Sequence, residues 1–207
     1  MFDSFEANLA FYQRIMTAMG QPPLSRHDRE QMQVLHTYAN RAVLAHFFPE
    51  QAAFERAVQE ASRIDYRELI PLMVMEEGLR ETLDILQRRV SLAVCTNRST
   101  SMSTVLDSFG LSTYFTTVMT ASRVARPKPH PEPLLAVLQE LGISAGEALF
   151  VGDSDVDRQA AAAAGVPFVA YRTELPAHAR IDRHGDILHL LQAGNLKAPT
   201  GDTRERI

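Results

Sequence analysis

Four short runs of apolar and β-branched residues, VSLAVC (90 to 95), FTTVM (115 to 119), ALFV (148 to 151) and PFVAY (167 to 171), are separated by stretches with helical periodicity, including SMSTVLDSFG, PEPLLAVLQELG and DRQAAAAAG. Strands alternating with segments of that length imply a parallel sheet with helices on its faces, because a parallel pair needs a crossover long enough to hold a helix. Gly110, Gly142 and Gly165 each close a helical run, where a glycine C-cap belongs. In open parallel sheets ligands collect beyond the carboxyl ends of the strands. The residues to inspect are therefore Thr96, Asn97 and Arg98 after the first run, Gly152 to Asp157 after the third, and Lys128 in the loop RPKPHP between them.

The chain ahead of this region has a different character. Phe5, Leu9, Tyr12, Ile15, Met16 and Met19 recur at helical spacing before Gly20 and the Pro22-Pro23 break, and Ser25, with Asp28 three places on, opens a second helical run through Met32, Leu35, Tyr38 and Ala39. Further helical stretches follow Pro49 and Asp65, and no strand signal precedes residue 89. The reading divides the 207 residues into a helical module at 5 to 72, an α/β region at 73 to 195 and a polar, loose tail at 196 to 207. A net charge of -4 and an isoelectric point near 6.0 offer no basic surface for nucleic acid or an anionic membrane, so neither is expected as a partner. The N-terminus has no export-signal pattern, no apolar run reaches membrane-spanning length, and Cys95 is the only cysteine. Together these read as a cytoplasmic protein without a disulfide framework.

Taken one at a time, the strand-end residues each have two readings. Thr96 offers a hydroxyl beside a run of backbone N–H groups, either as part of an anion cradle or as a cap for the helix near Ser99. Lys128, held between Pro127 and Pro129, is either an aimed ammonium or an ordinary solvated lysine. Asp153, directly after an apolar strand and a glycine, suits a hard cation such as magnesium or caps the following helix. Asp157 lies one turn into that helix, within reach of Lys128 or a metal-bound water, while Asp155 points elsewhere into solvent. Arg98 and Arg126 flank the pocket as either anion contacts or solvated charges. His130, His178, His184 and His189 share no metal-ligand spacing with an acidic cluster and read as packing or solvated residues. The Ala160 to Ala164 run reads as a close-packed helix face, and the segment MVMEE as core filler. A hydroxyl, a lysine and an acidic pair, all at strand ends of one parallel sheet, would converge on a pocket suited to a phosphate and its divalent ion.

The ordered segments VSLAVCTNRS, RPKPHPEPL and LFVGDSDVDRQAAAAAG resemble the haloacid dehalogenase superfamily, particularly its phosphoglycolate-phosphatase-like branch with a helical cap, over nearly the whole chain. The resemblance implies an α/β fold: a Rossmann-like parallel sheet with an inserted all-helical cap at 5 to 72. It also implies magnesium-dependent hydrolysis of a small phosphorylated metabolite. By it, Thr96 hydrogen-bonds the phosphoryl group, Lys128 balances charge, and Asp153 and Asp157 form the magnesium site; Asn97 and Arg98, next to Thr96 at the strand end, are further candidate substrate contacts by position. The same family opens on an apolar strand ending in D-x-D-G, which supplies the nucleophile and the general acid and base. Here Met1 to Ser4 match only the tail of that motif, with Asp3 read as a helix cap. The expectation is thus of a core lacking its first, central strand, two sheet halves facing each other, and a natural protein that is longer and active while residues 1 to 207 alone are not. The alternative is a short form that binds a phosphometabolite, or a protein partner, without chemistry.

Overall fold

The computed structural model describes residues 1 to 193, so the expected loose tail at 196 to 207 lies outside the described residues. Helices α1 (Phe5–Ala18), α2 (Arg29–Thr37), α3 (Asn40–Phe47) and α4 (Gln51–Arg63), with a 3-10 stretch at Tyr66–Leu72, account for the first part of the chain. Their apolar stripes face one another, and Tyr12, Ile15, Leu35, Val43, Leu44 and Ala57 close one cluster. Helix α2 starts later than the Ser25 signal implies. Asp28 is its cap, its carboxylate accepting from the Gln31 N–H at 3.1 Å, and a carboxylate there also meets the positive end of the helix dipole. The helix ends before Tyr38 because Tyr38 and Ala39 are extended.

Two strands precede residue 89, against expectation. They are β1 (Phe2–Asp3) and β2 (Val74–Met75), which pair antiparallel with Phe2 opposite Met75 where the chain enters and leaves the helical part. Two residues carry no periodicity, so this tie is invisible to a pattern search. MVMEE is likewise not uniform core filler, since Met73 is buried while Val74 is 63% exposed.

Helix α5 (Leu79–Leu86) leads into the α/β part, where β3 (Ala93–Thr96), β4 (Thr117–Thr120), β5 (Phe150–Gly152) and β6 (Phe168–Tyr171) begin one to three residues later than the runs that announce them. A further strand, β7 (Ala179–Ile181), comes from AHARI, which has no apolar run to signal it. Helices α6 (Ser101–Ser108), α7 (Glu132–Leu141), α8 (Asp155–Ala164) and α9 (Asp186–Ala193) complete the layers. Strands β3 and β4 pair in parallel, as do β5 with β6 and β6 with β7. Among the described residues the sheet comes in two pieces, and β3 and β5 do not pair with each other. The pieces share their helix layers nonetheless. On one face Cys95 and Phe150 pack with Leu134, Leu138, Ala160 and Ala161; on the other, Leu92 and Leu149 pack with Leu86, Val169 and Ile187. Ala160 and Ala161 are fully buried, as the alanine run implies: small side chains let α8 approach the sheet closely.

Candidate active site

Of the strand-end residues singled out above, Thr96, Asn97, Arg98, Lys128, Asp153 and Asp157 line one cavity of about 730 Å³ between the α/β layer and the helical module, while Gly152 and Asp155 do not. Thr96 is the last residue of β3, and its Oγ1 accepts from the Arg98 N–H at 3.1 Å. Helix α6 takes Thr100 as its N-terminal boundary, so Thr96 is not its cap, and its hydroxyl proton is left to donate into the cavity. The Asn97 amide bridges two parts of the chain, Nδ2 donating to the Thr37 carbonyl at 3.2 Å and to the Lys128 carbonyl at 2.9 Å.

Lys128 precedes a cis bond to Pro129 and is buried. Its Nζ donates to the Cys95 carbonyl of β3 at 2.9 Å and to Asp157 Oδ1 at 2.5 Å, and stands 5.3 Å from the centre of the Phe150 ring. The solvated-lysine reading therefore does not describe this residue. Asp157 in turn closes a capping box: its Oδ2 accepts from Ser154 Oγ at 2.6 Å and from the Ser154 N–H at 3.3 Å. Ser154, not Asp153, is the cap of α8. Both oxygens of Asp157 are thus engaged by the chain itself, and Asp153 is the carboxylate of the pair not committed to the cap. Asp155 faces outward to Arg158 and Gln159, as expected, and Arg126 pairs with Glu132 away from the cavity.

Asp153 holds its proton to higher pH than an ordinary aspartate, first because it is buried and second because the negative charge of Asp157 lies beside it. A site that penalises its own carboxylate in this way suits a cation. Among the described residues no cluster of three or more His, Cys, Asp or Glu side chains is placed to cage a metal. One uncommitted carboxylate beside a hydroxyl and a lysine instead fits magnesium, which keeps several waters and commonly takes only one or two carboxylates from the protein. The penalty also gives a signed expectation. Unfolded aspartate ionises near pH 3.8 and folded Asp153 higher, so above both values the folded state carries the cost of the charge. Asp153→Asn should raise the melting temperature of the metal-free protein at neutral pH, and the gain should shrink as pH falls toward the range where unfolded aspartate is protonated.

The helical module contributes residues that the sequence did not announce. Arg98 Nη2 donates to Asn8 Oδ1 at 3.0 Å, Nη1 donates to the Tyr66 hydroxyl, and the guanidinium lies 5.0 Å from the centre of the Tyr66 ring. Asn8 Nδ2 is 3.2 Å from His36 Nδ1, and Phe5 stacks on the His36 ring. Single polar residues on amphipathic helices read as surface in a sequence, which is why these escaped notice. Asp3 is a local cap, accepting from the Phe5 N–H at 3.0 Å. His130 and His178 accept backbone N–H groups, and His184 stacks on Tyr171 beside Glu76, all packing roles as expected.

A family model for haloacid dehalogenase-like hydrolases matches residues 1 to 171. The phosphoglycolate phosphatase of Escherichia coli (strain K12) is 40% identical over 104 residues, 46% of this chain, and that of Salmonella typhi is 42% identical over the same length. These alignments span 41% of the length of the curated relatives. A crystal structure of a HAD-superfamily hydrolase of subfamily IA, variant 1, from Geobacter sulfurreducens PCA is 67% identical, covers 92% of this chain and 91% of its own, and superposes with a TM-score of 0.73. A predicted phosphoglycolate phosphatase from Haemophilus somnus 129pt shares the fold, with a TM-score of 0.80 at 21% identity over 93% of each chain. Two half-sheets with a helical cap above them, a family match over most of the chain and a relative of high identity agree: the chain belongs to the haloacid dehalogenase-like hydrolases, among members resembling the phosphoglycolate phosphatases.

Proposed function

We propose that this cavity binds a small phosphate monoester together with Mg2+, and that the chain belongs to a cytoplasmic phosphatase of the phosphoglycolate-phosphatase type. In this reading residues 5 to 72 are the cap and 73 to 195 the hydrolase core. The observation that carries it is a buried lysine, Lys128, paired to a buried carboxylate and opening on the same cavity as a donating Thr96 hydroxyl and an uncommitted Asp153. Thr96 donates to a phosphoryl oxygen. Lys128 supplies a fixed positive charge where negative charge develops, and Asp157 holds it there. Asp153 would hold the magnesium ion, which when bound neutralises the phosphoryl oxygens.

Attack on phosphorus needs a further carboxylate. The carboxylates lining the cavity are Asp65, Asp153 and Asp157, and Asp65 is taken up by Arg67. Asp153 and Asp157 are assigned to magnesium and to Lys128, so the reading assigns no nucleophile among the described residues. Residues 1 to 207 are expected to show no turnover of a generic phosphomonoester above background. Clear magnesium-dependent turnover that disappears on Lys128→Ala would refute this. Among the described residues no cavity carboxylate is left over to attack phosphorus, which also favours a second reading, binding of a phosphometabolite without chemistry. Thermal unfolding with MgCl2 and inorganic phosphate tests the shared part. Wild type should gain about 2.7 kcal/mol at a ligand concentration 100 times the dissociation constant. Asp153→Asn should lose the magnesium-dependent part of that gain. If neither phosphate nor magnesium stabilises the wild type, both readings fall.

A further inference from the structure

We infer that the corner between α2 and α3, residues 36 to 40, opens by itself as a flap over the cavity while the rest of the helical module stays docked. The module is held in two places, and the two differ in kind. Near Arg98, Ala7, Leu69 and Met73 pack against Val105 of α6, and the guanidinium bonds Asn8 and Tyr66. At the corner, among the described residues, one hydrogen bond crosses to the α/β part, from Asn97 Nδ2 to the Thr37 carbonyl at 3.2 Å. The apolar residues on either side of the corner, Leu35, Val43 and Leu44, pack inside the module instead.

Unmet polar atoms surround that single bond. Among the described residues, the buried side-chain polar atoms without a partner are His36 Nε2, Asn40 Oδ1 and Asn97 Oδ1. His36 and Asn40 stand on either side of Thr37, and Asn97 is its partner across the contact. The three atoms have essentially no surface open to water, although their residues line the cavity. None can be satisfied in place. Both Asn97 Nδ2 protons are spent, on the Thr37 and Lys128 carbonyls, so that amide cannot turn over. Turning the Asn40 amide would bury its NH2 in place of its oxygen, and either His36 tautomer leaves Nε2 unmet, as donor or as acceptor. A buried polar group without a partner costs more than an ordinary hydrogen bond returns, so three of them against one bond favour an arrangement in which water reaches the atoms. Tyr38 and Ala39 are already extended, and opening needs only the last turn of α2 and the first turn of α3 to unravel.

Amide hydrogen exchange of residues 1 to 207, followed by NMR, tests this at matched positions. The Tyr38 N–H closes α2 on the Val34 carbonyl at 3.3 Å, as the Met19 N–H closes α1 on Ile15 at 2.9 Å. The Val43 N–H bonds Ala39 at the start of α3 at 3.1 Å, as the Phe54 N–H bonds Glu50 at the start of α4 at 2.8 Å. With intrinsic rates divided out, Tyr38 and Val43 should be about tenfold less protected than Met19 and Phe54. Equal protection would mean that the module moves as one body or not at all, and overturns the inference. Asn40→Val removes one unmet atom with little change in helix propensity, and should raise protection at Tyr38 and Val43 about tenfold. Asn40→Asp puts a charge where the amide oxygen is buried, and should lower it by at least as much. Met19 and Phe54 should not respond to either change. If protection at the corner ignores both substitutions, or if Met19 and Phe54 shift by the same factor as the corner, the unmet atoms do not drive a local opening and the inference falls.

Discussion

Lys128→Ala is expected to cost about 3–5 kcal/mol of folding stability, as breaking a buried ion pair does when one charge is left behind. The side chains of Lys128 and Asp157 are only 7% and 8% exposed, and their atoms meet at 2.5 Å. The lysine also satisfies the Cys95 carbonyl at the edge of β3, so its loss strands a backbone acceptor as well as a carboxylate. A domain with a total stability of about 5–15 kcal/mol would lose roughly a fifth or more of it. Phosphate binding should vanish with the charge. The double change Lys128→Met with Asp157→Leu separates the two effects. It removes both charges and should recover most of the stability, apart from the about 0.5–2 kcal/mol of the lost Ser154 capping box, while phosphate binding stays absent. Urea unfolding of the three proteins decides the matter, and a cost below about 1 kcal/mol for Lys128→Ala would mean that water reaches the pair.

Gly152→Ala should be nearly as damaging for a reason with no counterpart in the sequence pattern. A Cβ at Gly152 would stand 2.6 Å from Asp157 Cβ, 2.8 Å from its Cγ and 2.9 Å from its Oδ2. These atoms cannot swing away, because Asp157 is anchored by Lys128 on one oxygen and Ser154 on the other. Overpacking alone costs about 1–3 kcal/mol, and any movement of Asp157 also loosens Lys128. The expected result is a loss of stability together with weaker phosphate and magnesium binding. Gly146→Ala is the control, since nothing lies within 4 Å of a Cβ there, and it should fall within about 0.5 kcal/mol of wild type. If Gly152→Ala behaves like Gly146→Ala, the close approach of strand to helix is not a constraint.

The parts of this architecture legible in the sequence were those with a local signature. Runs such as VSLAVC and FTTVM show β3 and β4 because a buried parallel strand is continuously apolar. Gly142 and Gly165 mark the ends of α7 and α8 because only a residue without Cβ takes the left-handed cap cheaply. β7 escaped because ARI sits at the edge of its sheet and carries an exposed arginine in its middle. The tie of β1 to β2 escaped because it is two residues long on each side and joins positions over seventy residues apart.

The sequence by itself determined the alternating α/β order, the helical module ahead of it, and the strand ends from which Thr96, Lys128 and Asp153 had to project. Periodicity and strand-end topology are local consequences of backbone geometry, and each is written in a few consecutive residues. Only the tertiary structure decided which charges are partners and which are free. It gave Asp157 to Lys128 and Ser154 and left Asp153 uncommitted, and it turned Arg98 toward Asn8 and Tyr66 of the helical module. Those outcomes depend on distances between elements and on burial, and a side chain's hydrogen-bonding capacity says what it can bind but not what will be within 3 Å of it.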